Sequence, residues 1–207
     1  MLRKLTLFSV VAMLVCANVH AAPDRTGKFD AGVAVAANLP DNGEIDDAAY
    51  VGGTLAYGIN QWLAIGLESG WTESEVKEED NQALLGFTEV GDLTSVPLLF
   101  DILLRVPIQE QPLVPYGVVG LGVIFRDFDT SSRLEARNIG QDVDSSFGVN
   151  VKAGIDWFIN DNWIINFETG YLFSDADSTS TVAGVATTVE TNADIFFIGA
   201  GVKYVFG

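Results

Sequence analysis

Apolar side chains alternate residue by residue with polar or small ones along most of this chain. The pattern recurs in eight runs, at roughly residues 28–39, 48–59, 62–72, 93–106, 114–128, 146–158, 163–175 and 193–206. In 163–174 the odd positions are Trp163, Ile165, Phe167, Thr169, Tyr171 and Phe173, while the even positions include Asn166, Glu168, Gly170 and Ser174. A two-residue period is the signature of a strand with two unlike faces. Each run is 11 to 15 residues long, which is long for a soluble strand and matches a tilted strand crossing a bilayer. No segment past residue 21 holds the 18 uncharged apolar residues of a spanning helix.

The connections alternate as well. Asn60-Gln61, Asn160-Asp161-Asn162 and about seven residues from Pro107 form short turns. Residues 40–47, 73–92, 129–145 and 176–192 form long loops, and 73–92 carries seven acidic residues against one lysine. Short turns at one end and long loops at the other predict an all-β, eight-stranded antiparallel up-and-down transmembrane β-barrel. One such domain fills residues 22–207, and the 17 residues from Ala176 to Asn192 are placed to extend a hairpin beyond the membrane.

A soluble β-sandwich would also alternate, with its apolar face inside. The polar faces here are rich in glycine, which weakens a solvated strand but makes room in a crowded barrel interior. Aromatic residues gather near strand ends on the apolar face. Tyr57, Trp157, Trp163 and Tyr204 lie near the short turns, and Trp71, Phe125, Phe147 and Phe173 lie near the long loops. Two such belts match interfacial girdles. The opposite face, read as the lumen, carries Glu68, Asp101, Asp156 and Glu168 with Arg105, Arg126, Lys152 and Lys203. That balance predicts ion pairing in the interior, because unpaired buried charge is costly.

Residues 1–21 read as a secretory signal peptide. Arg3 and Lys4 precede an uncharged stretch from Leu5 to Cys16, and Val19 and Ala21 supply small residues ahead of a cleavage site after Ala21. Val15 before Cys16 argues against a lipoprotein. Past Ala21 the chain has no Cys, His or Met, and nine basic residues face 28 acidic ones. Thiolate and imidazole zinc sites and Ser-His-Asp or Cys-His catalysis are thereby excluded. So acidic a chain also argues against nucleic-acid recognition. The fragments Gly120-Leu121-Gly122 and Gly199-Ala200-Gly201 open no helix, and Asp175-Ala176-Asp177 meets Ala186 where a calcium loop needs glutamate. No catalytic, cofactor or metal site is expected.

Pro115-Tyr116-Gly117-Val118-Val119-Gly120-Leu121-Gly122, the stretch from Gly154 to Trp163, and the close from Gly199 to Phe206 resemble the small eight-stranded outer-membrane barrels related to OmpW and the OmpA transmembrane domain. The resemblance implies residence in the outer membrane, contact with its lipid and lipopolysaccharide, and assembly by periplasmic chaperones and the barrel-assembly machinery. It also implies that Phe206 serves as the C-terminal assembly signal, here followed by Gly207. For function it implies passive passage of small or hydrophobic solutes. The alternative is a structural or surface-interaction barrel with an occluded lumen and acidic extracellular loops. A barrel enzyme would have to work with carboxylates alone, at Glu68 or Glu168. N-terminal sequencing of the exported protein should begin at Ala22; a first residue at or before Cys16 would contradict the assigned cleavage site.

Overall fold

The computed structural model describes residues 21–41, 45–77, 89–132, 139–182 and 185–207. The proposed leader falls almost wholly outside them, as does the middle of the acidic 73–92 segment. The described strands are β1 (Phe29–Pro40), β2 (Ala48–Gly58), β3 (Leu63–Lys77), β4 (Glu89–Arg105), β5 (Leu113–Thr130), β6 (Ile139–Val143), β7 (Ser146–Phe158), β8 (Trp163–Val182), β9 (Val185–Asn192) and β10 (Ile195–Phe206).

Eight of these strands form the wall, in the order β1-β2-β3-β4-β5-β7-β8-β10, each antiparallel to the next. β10 then pairs with β1 from Phe29↔Phe206 to Pro40↔Ile195, which closes the sheet on itself. Closure leaves the wall no free edge, the condition for a sheet to cross a bilayer. The all-β barrel predicted from period and loop length is the fold observed.

The short turns show how local sequence sets the register. In the β2–β3 turn the Asn60 side-chain oxygen accepts from the Trp62 and Leu63 amides at 2.7 and 2.8 Å. In the β7–β8 turn Asn160 does the same for Asn162 and Trp163, at 3.0 and 2.9 Å. Both turns follow an Ile-Asn dipeptide, and both Ile amides donate across the turn at 2.9 Å. Asparagine suits the site because its short side chain replaces a backbone acceptor in a tight bend.

The loop end departs from the sequence reading. The stretch 73–92 was expected to be loop, yet β3 and β4 stay paired from Glu73↔Thr94 to Lys77↔Glu89. Alternation fades here because the paired residues stand beyond the apolar band and need no greasy face. β8 runs on to Val182 and changes partner at Ser174. Below that point it pairs with β10; above it, β9 lies on one side and β6 on the other. The Ser174 amide donates to Asp194 at 2.9 Å, and the Ser174 carbonyl accepts from the Ala193 amide at 2.9 Å, fixing the switch. The hairpin extension expected for 176–192 is thus a three-stranded sheet standing above the barrel.

Two kinds of interior result. Outward side chains are apolar and exposed, including Val33, Leu121, Phe147, Val151 and Phe167, while Asn150, Asp156 and Asn166 on the inward face are fully buried. This is the reverse of a soluble sandwich. Above the rim, Val90, Leu93, Phe128, Val143, Ala176 and Ala193 form a buried apolar cluster, with Ile45 and Val76 packed against it. Lys77 ties Asp46 to this extension, pairing with it and with Glu75 at 3.4 Å. Its hydrogen bond to Asp46 holds the ammonium above the usual lysine range, against a smaller opposing effect of desolvation.

Val151→Arg, at the middle of β7 on the outward face, should destabilise the refolded protein by about 2–4 kcal/mol in vesicles, the cost of arginine at hydrocarbon depth. Denaturant titration measures it, and a cost below about 0.5 kcal/mol, ordinary for a solvated surface, would contradict a lipid-facing wall.

Candidate functional site: a paired lumen floor beneath an apolar cavity

An eight-stranded barrel is only wide enough for its own side chains, so the lumen is decided by what its inward residues are and how they pair. At the turn end five charged side chains form one chain. Arg105 bonds Asp30 at 2.6 Å; Arg25 reaches Asp30 at 3.5 Å and Asp156 at 2.9 Å; Lys203 bonds Asp156 at 3.0 Å. All five are buried, Asp156 to 1% exposure. Aromatic faces back two of the cations: Arg25 lies 5.2 Å from the Phe158 ring centroid, and Lys203 lies 4.5 Å from that of Tyr116.

Arg25 comes from the segment ahead of β1. That segment is strapped across the turn end by the Ala22 amide on the Gln111 carbonyl at 2.9 Å and the Gly27 amide on the Gly58 carbonyl at 2.8 Å. Gly58 is required there, because a Cβ would lie 2.1 Å from the Arg25 carbonyl oxygen.

A second tier lies toward mid-barrel. Lys152 pairs with Glu68 and reaches Asp101 at 3.6 Å, and Asn150 donates to Asp101 at 3.4 Å. Glu168 accepts from the Tyr116 hydroxyl at 3.0 Å. Each tier offsets the other, three bases to two acids below and three acids to one base above.

Of the eight lumen charges read from sequence, Asp101, Arg105, Lys152, Asp156, Lys203 and Glu68 are buried and joined to an opposite charge. Two differ from the expected pairing. Glu168 is hydrogen-bonded to a neutral tyrosine. Arg126 has no carboxylate within ion-pair distance among the described residues; its guanidinium donates to Ser146, to Ser174 at 2.8 Å and to the Asp175 carbonyl at 3.4 Å. It sits near the loop end, where inward neighbours are serines rather than acids. Sequence reading missed Asp30 and Arg25. Asp30 shares the parity of Gly32 in the first run, so its inward position was available; Arg25 lies outside every run and carried no signal.

Above the second tier the lumen opens into a cavity of about 840 Å³, its open mouth included. Leu99, Ile124, Leu172 and Phe197 are among its apolar walls, and Asn150, Glu68 and Glu168 face it from below. The Tyr50 ring also lines it, lying across Gly52 and Gly70, where a Cβ would come within 2.3 Å of the ring. In the wall beside this cavity the β3–β4 ladder skips two pairs, with the register the same on both sides. The β3–β4 pairing runs to Ser69↔Leu98 and resumes at Thr72↔Ser95, so Gly70 and Trp71 lack partners in Val96 and Pro97. Proline has no N–H to give to the ladder.

Outside, Phe29, Tyr57, Trp163, Tyr204 and Phe206 are exposed at the turn end. They form a continuous aromatic belt across four strands, with centroids 4.9 Å apart for Phe29–Tyr57, 5.9 Å for Phe29–Phe206, 6.4 Å for Tyr204–Phe206 and 4.9 Å for Trp163–Tyr204. Trp157 is half-buried at the same end. Trp71, Phe125, Phe147 and Phe173 are exposed toward the loop end, and Phe173 stacks on Tyr171 at 5.1 Å.

A closed antiparallel wall, apolar outside and charged within, defines an outer-membrane barrel. Residues 8–206 match the family described as outer membrane protein beta-barrel domain, and the chain belongs to that family. It is 22% identical to outer membrane protein W of Vibrio cholerae over 95% of this chain and 99% of that one. Among solved structures it resembles the outer membrane protein OprG of Pseudomonas aeruginosa, with 19% identity, a TM-score of 0.68, and 91% and 98% of the two chains covered. It also resembles the outer membrane protein AlkL in lipid bilayers, with 19% identity, a TM-score of 0.62, and 91% and 94% covered. The protein therefore resides in the outer membrane, with short turns periplasmic and long loops extracellular.

Asp156→Asn should destabilise the barrel by about 3–5 kcal/mol, because it strands the buried Lys203 and leaves Arg25 only its 3.5 Å contact with Asp30. Arg25→Gln should cost clearly less, since Lys203 and Arg105 still hold the two acids. Denaturant unfolding in vesicles ranks them, and the reverse order would contradict the chain of pairs described here.

Proposed function

We propose that the protein passes small hydrophobic solutes from the cell exterior into the outer membrane through the side of the barrel. A solute enters the apolar cavity at the extracellular end. Its way down is closed by two tiers of buried charge, whose passage would require desolvated ions to part. Its way sideways is the β3–β4 wall, where the ladder lapses beside Pro97. The observation that carries the reading is this coincidence of an apolar cavity, a paired floor and a broken ladder at one level. The family resemblance to OmpW-like barrels supports the same solute class.

The paired floor also favours a second reading, a structural or surface-interaction barrel with an occluded lumen. The two differ in the wall. Pro97→Val restores the missing donor and should slow delivery of an environment-sensitive hydrophobic dye into protein-bearing vesicles several-fold, with the heat-dependent gel mobility of the folded barrel unchanged. Both forms should be silent in planar-bilayer conductance. Dye delivery that matches protein-free vesicles, or that Pro97→Val leaves unchanged, would reject lateral passage and leave the occluded barrel.

A further inference from the structure

Among the described residues, every lumen cation but Arg126 has a carboxylate within ion-pair distance. Arg25, Arg105, Lys152 and Lys203 each sit within ion-pair distance of an acid. Arg126 faces the cavity and has only hydroxyl and carbonyl acceptors among the described residues. Those three bonds use two hydrogens of Nη1 and one of Nη2. Of the five N–H groups of a guanidinium, Nε–H and one Nη2–H remain free of described acceptors. A guanidinium beside apolar walls with no carboxylate bonded to it among the described residues is costly to hold and is a strong site for a planar anion.

We infer that Arg126 binds the headgroup of the transported solute, and that this solute is an amphiphile with a single carboxylate on an alkyl chain. The inference rests on the lateral-passage reading and names its substrate class.

Three features define the class. Among the described residues Arg126 is the one lumen cation with no carboxylate within ion-pair distance, so one negative charge is matched. Glu68 and Glu168 face the same cavity from below; Glu68 pairs with Lys152, while Glu168 accepts from the Tyr116 hydroxyl and has no cation within ion-pair distance among the described residues. An anion is thus repelled from the floor and held at the extracellular end. The register then places the chain. Arg126 lies opposite Ser95 and Ile124 opposite Pro97 on β4. The Arg126 backbone therefore sits two residues, roughly 7 Å, above the level of Pro97, at the upper border of the lapse in the β3–β4 ladder. A carboxylate held at Arg126 leaves its alkyl chain against Ile124, Leu99 and Pro97, beside the proposed exit into lipid. Burial of that chain supplies affinity, and the guanidinium supplies orientation, head outward and tail toward the wall.

The test compares dansyl-undecanoate with its methyl ester, which share a tail and differ in charge. Binding is read by dansyl fluorescence on the refolded chain from Ala22 onward in lipid nanodiscs, with empty nanodiscs subtracted and folding checked by gel mobility. The acid should bind at least about tenfold more tightly than the ester, the weight of one charge-assisted hydrogen bond. Arg126→Gln should reduce the acid to the affinity of the ester and leave the ester unchanged, while Arg126→Lys should keep most of the preference. Equal binding of acid and ester to the wild type, or acid binding unaffected by Arg126→Gln, overturns the headgroup assignment alone. Binding of neither probe overturns that assignment and lateral passage together.

Discussion

Closure of the sheet is the condition on which the rest of this molecule depends. Inside a bilayer an unpaired backbone amide has no water to turn to, so β1 must find β10. The Phe29↔Phe206 to Pro40↔Ile195 register is what removes the last edge. Closing on eight strands also sets the diameter, and at that diameter inward side chains touch across the lumen. The contents follow from this limit. Small residues face inward because Tyr50 must lie across Gly52 and Gly70. The buried charges Arg25, Asp30, Glu68, Asp101, Arg105, Lys152, Asp156 and Lys203 face inward beside opposite charges because they are cut off from solvent. The apolar residues take the outside because that side is hydrocarbon.

Polarity is graded along the barrel axis, and the gradient separates two jobs. At the periplasmic end, Asp30, Asp156 and three cations fill the cross-section with bonds of 2.6 to 3.5 Å. Buried pairs of this kind add little net stability over an apolar core, but removing one partner is expensive. Their main consequence here is therefore resistance to being opened. Toward the extracellular end the charges thin out and Leu99, Ile124, Leu172 and Phe197 replace them. One lumen is thus lined by paired charge below and by apolar side chains above.

The wall was legible in the sequence and the extensions beyond it were not. Phe147 to Phe158 alternates because lipid faces one side and the lumen the other, and the observed β7 spans Ser146–Phe158. Glu73 to Lys77 lies above the lipid, where nothing demands an apolar face, so strand and loop look alike there. Parity alone placed six lumen charges among opposite partners, but parity says nothing of depth. Arg126 shares its face with Lys152 and Lys203, and its level near the rim, beside Ser146 and Ser174, leaves it with no carboxylate within ion-pair distance among the described residues. Arg25 was invisible for a different reason: a residue ahead of the first strand reaches the lumen by a strap held through backbone bonds, which leave no mark on side-chain pattern. The ladder lapse was half visible, as a proline inside an otherwise regular run, and its meaning depended on the cavity behind it.

The placement of Pro97 is informative because the barrel has so few places to put it. A proline in a closed wall leaves its neighbour across the ladder without a donor, a loss of about 0.5–1.5 kcal/mol in water and more against lipid. At the turn end such a lapse would expose the paired floor to hydrocarbon, which no buried charge tolerates. In the β3–β4 extension above the rim it would be harmless and would connect nothing. Between Ser69↔Leu98 and Thr72↔Ser95 it lies beside an apolar cavity on one side and the lipid face on the other, which is the level the proposed lateral passage needs. The lapse is also short, two residues on each strand, with β4 still paired to β5 through Pro97↔Ile124. The register is the same on both sides of the lapse, and the sheet as a whole stays closed.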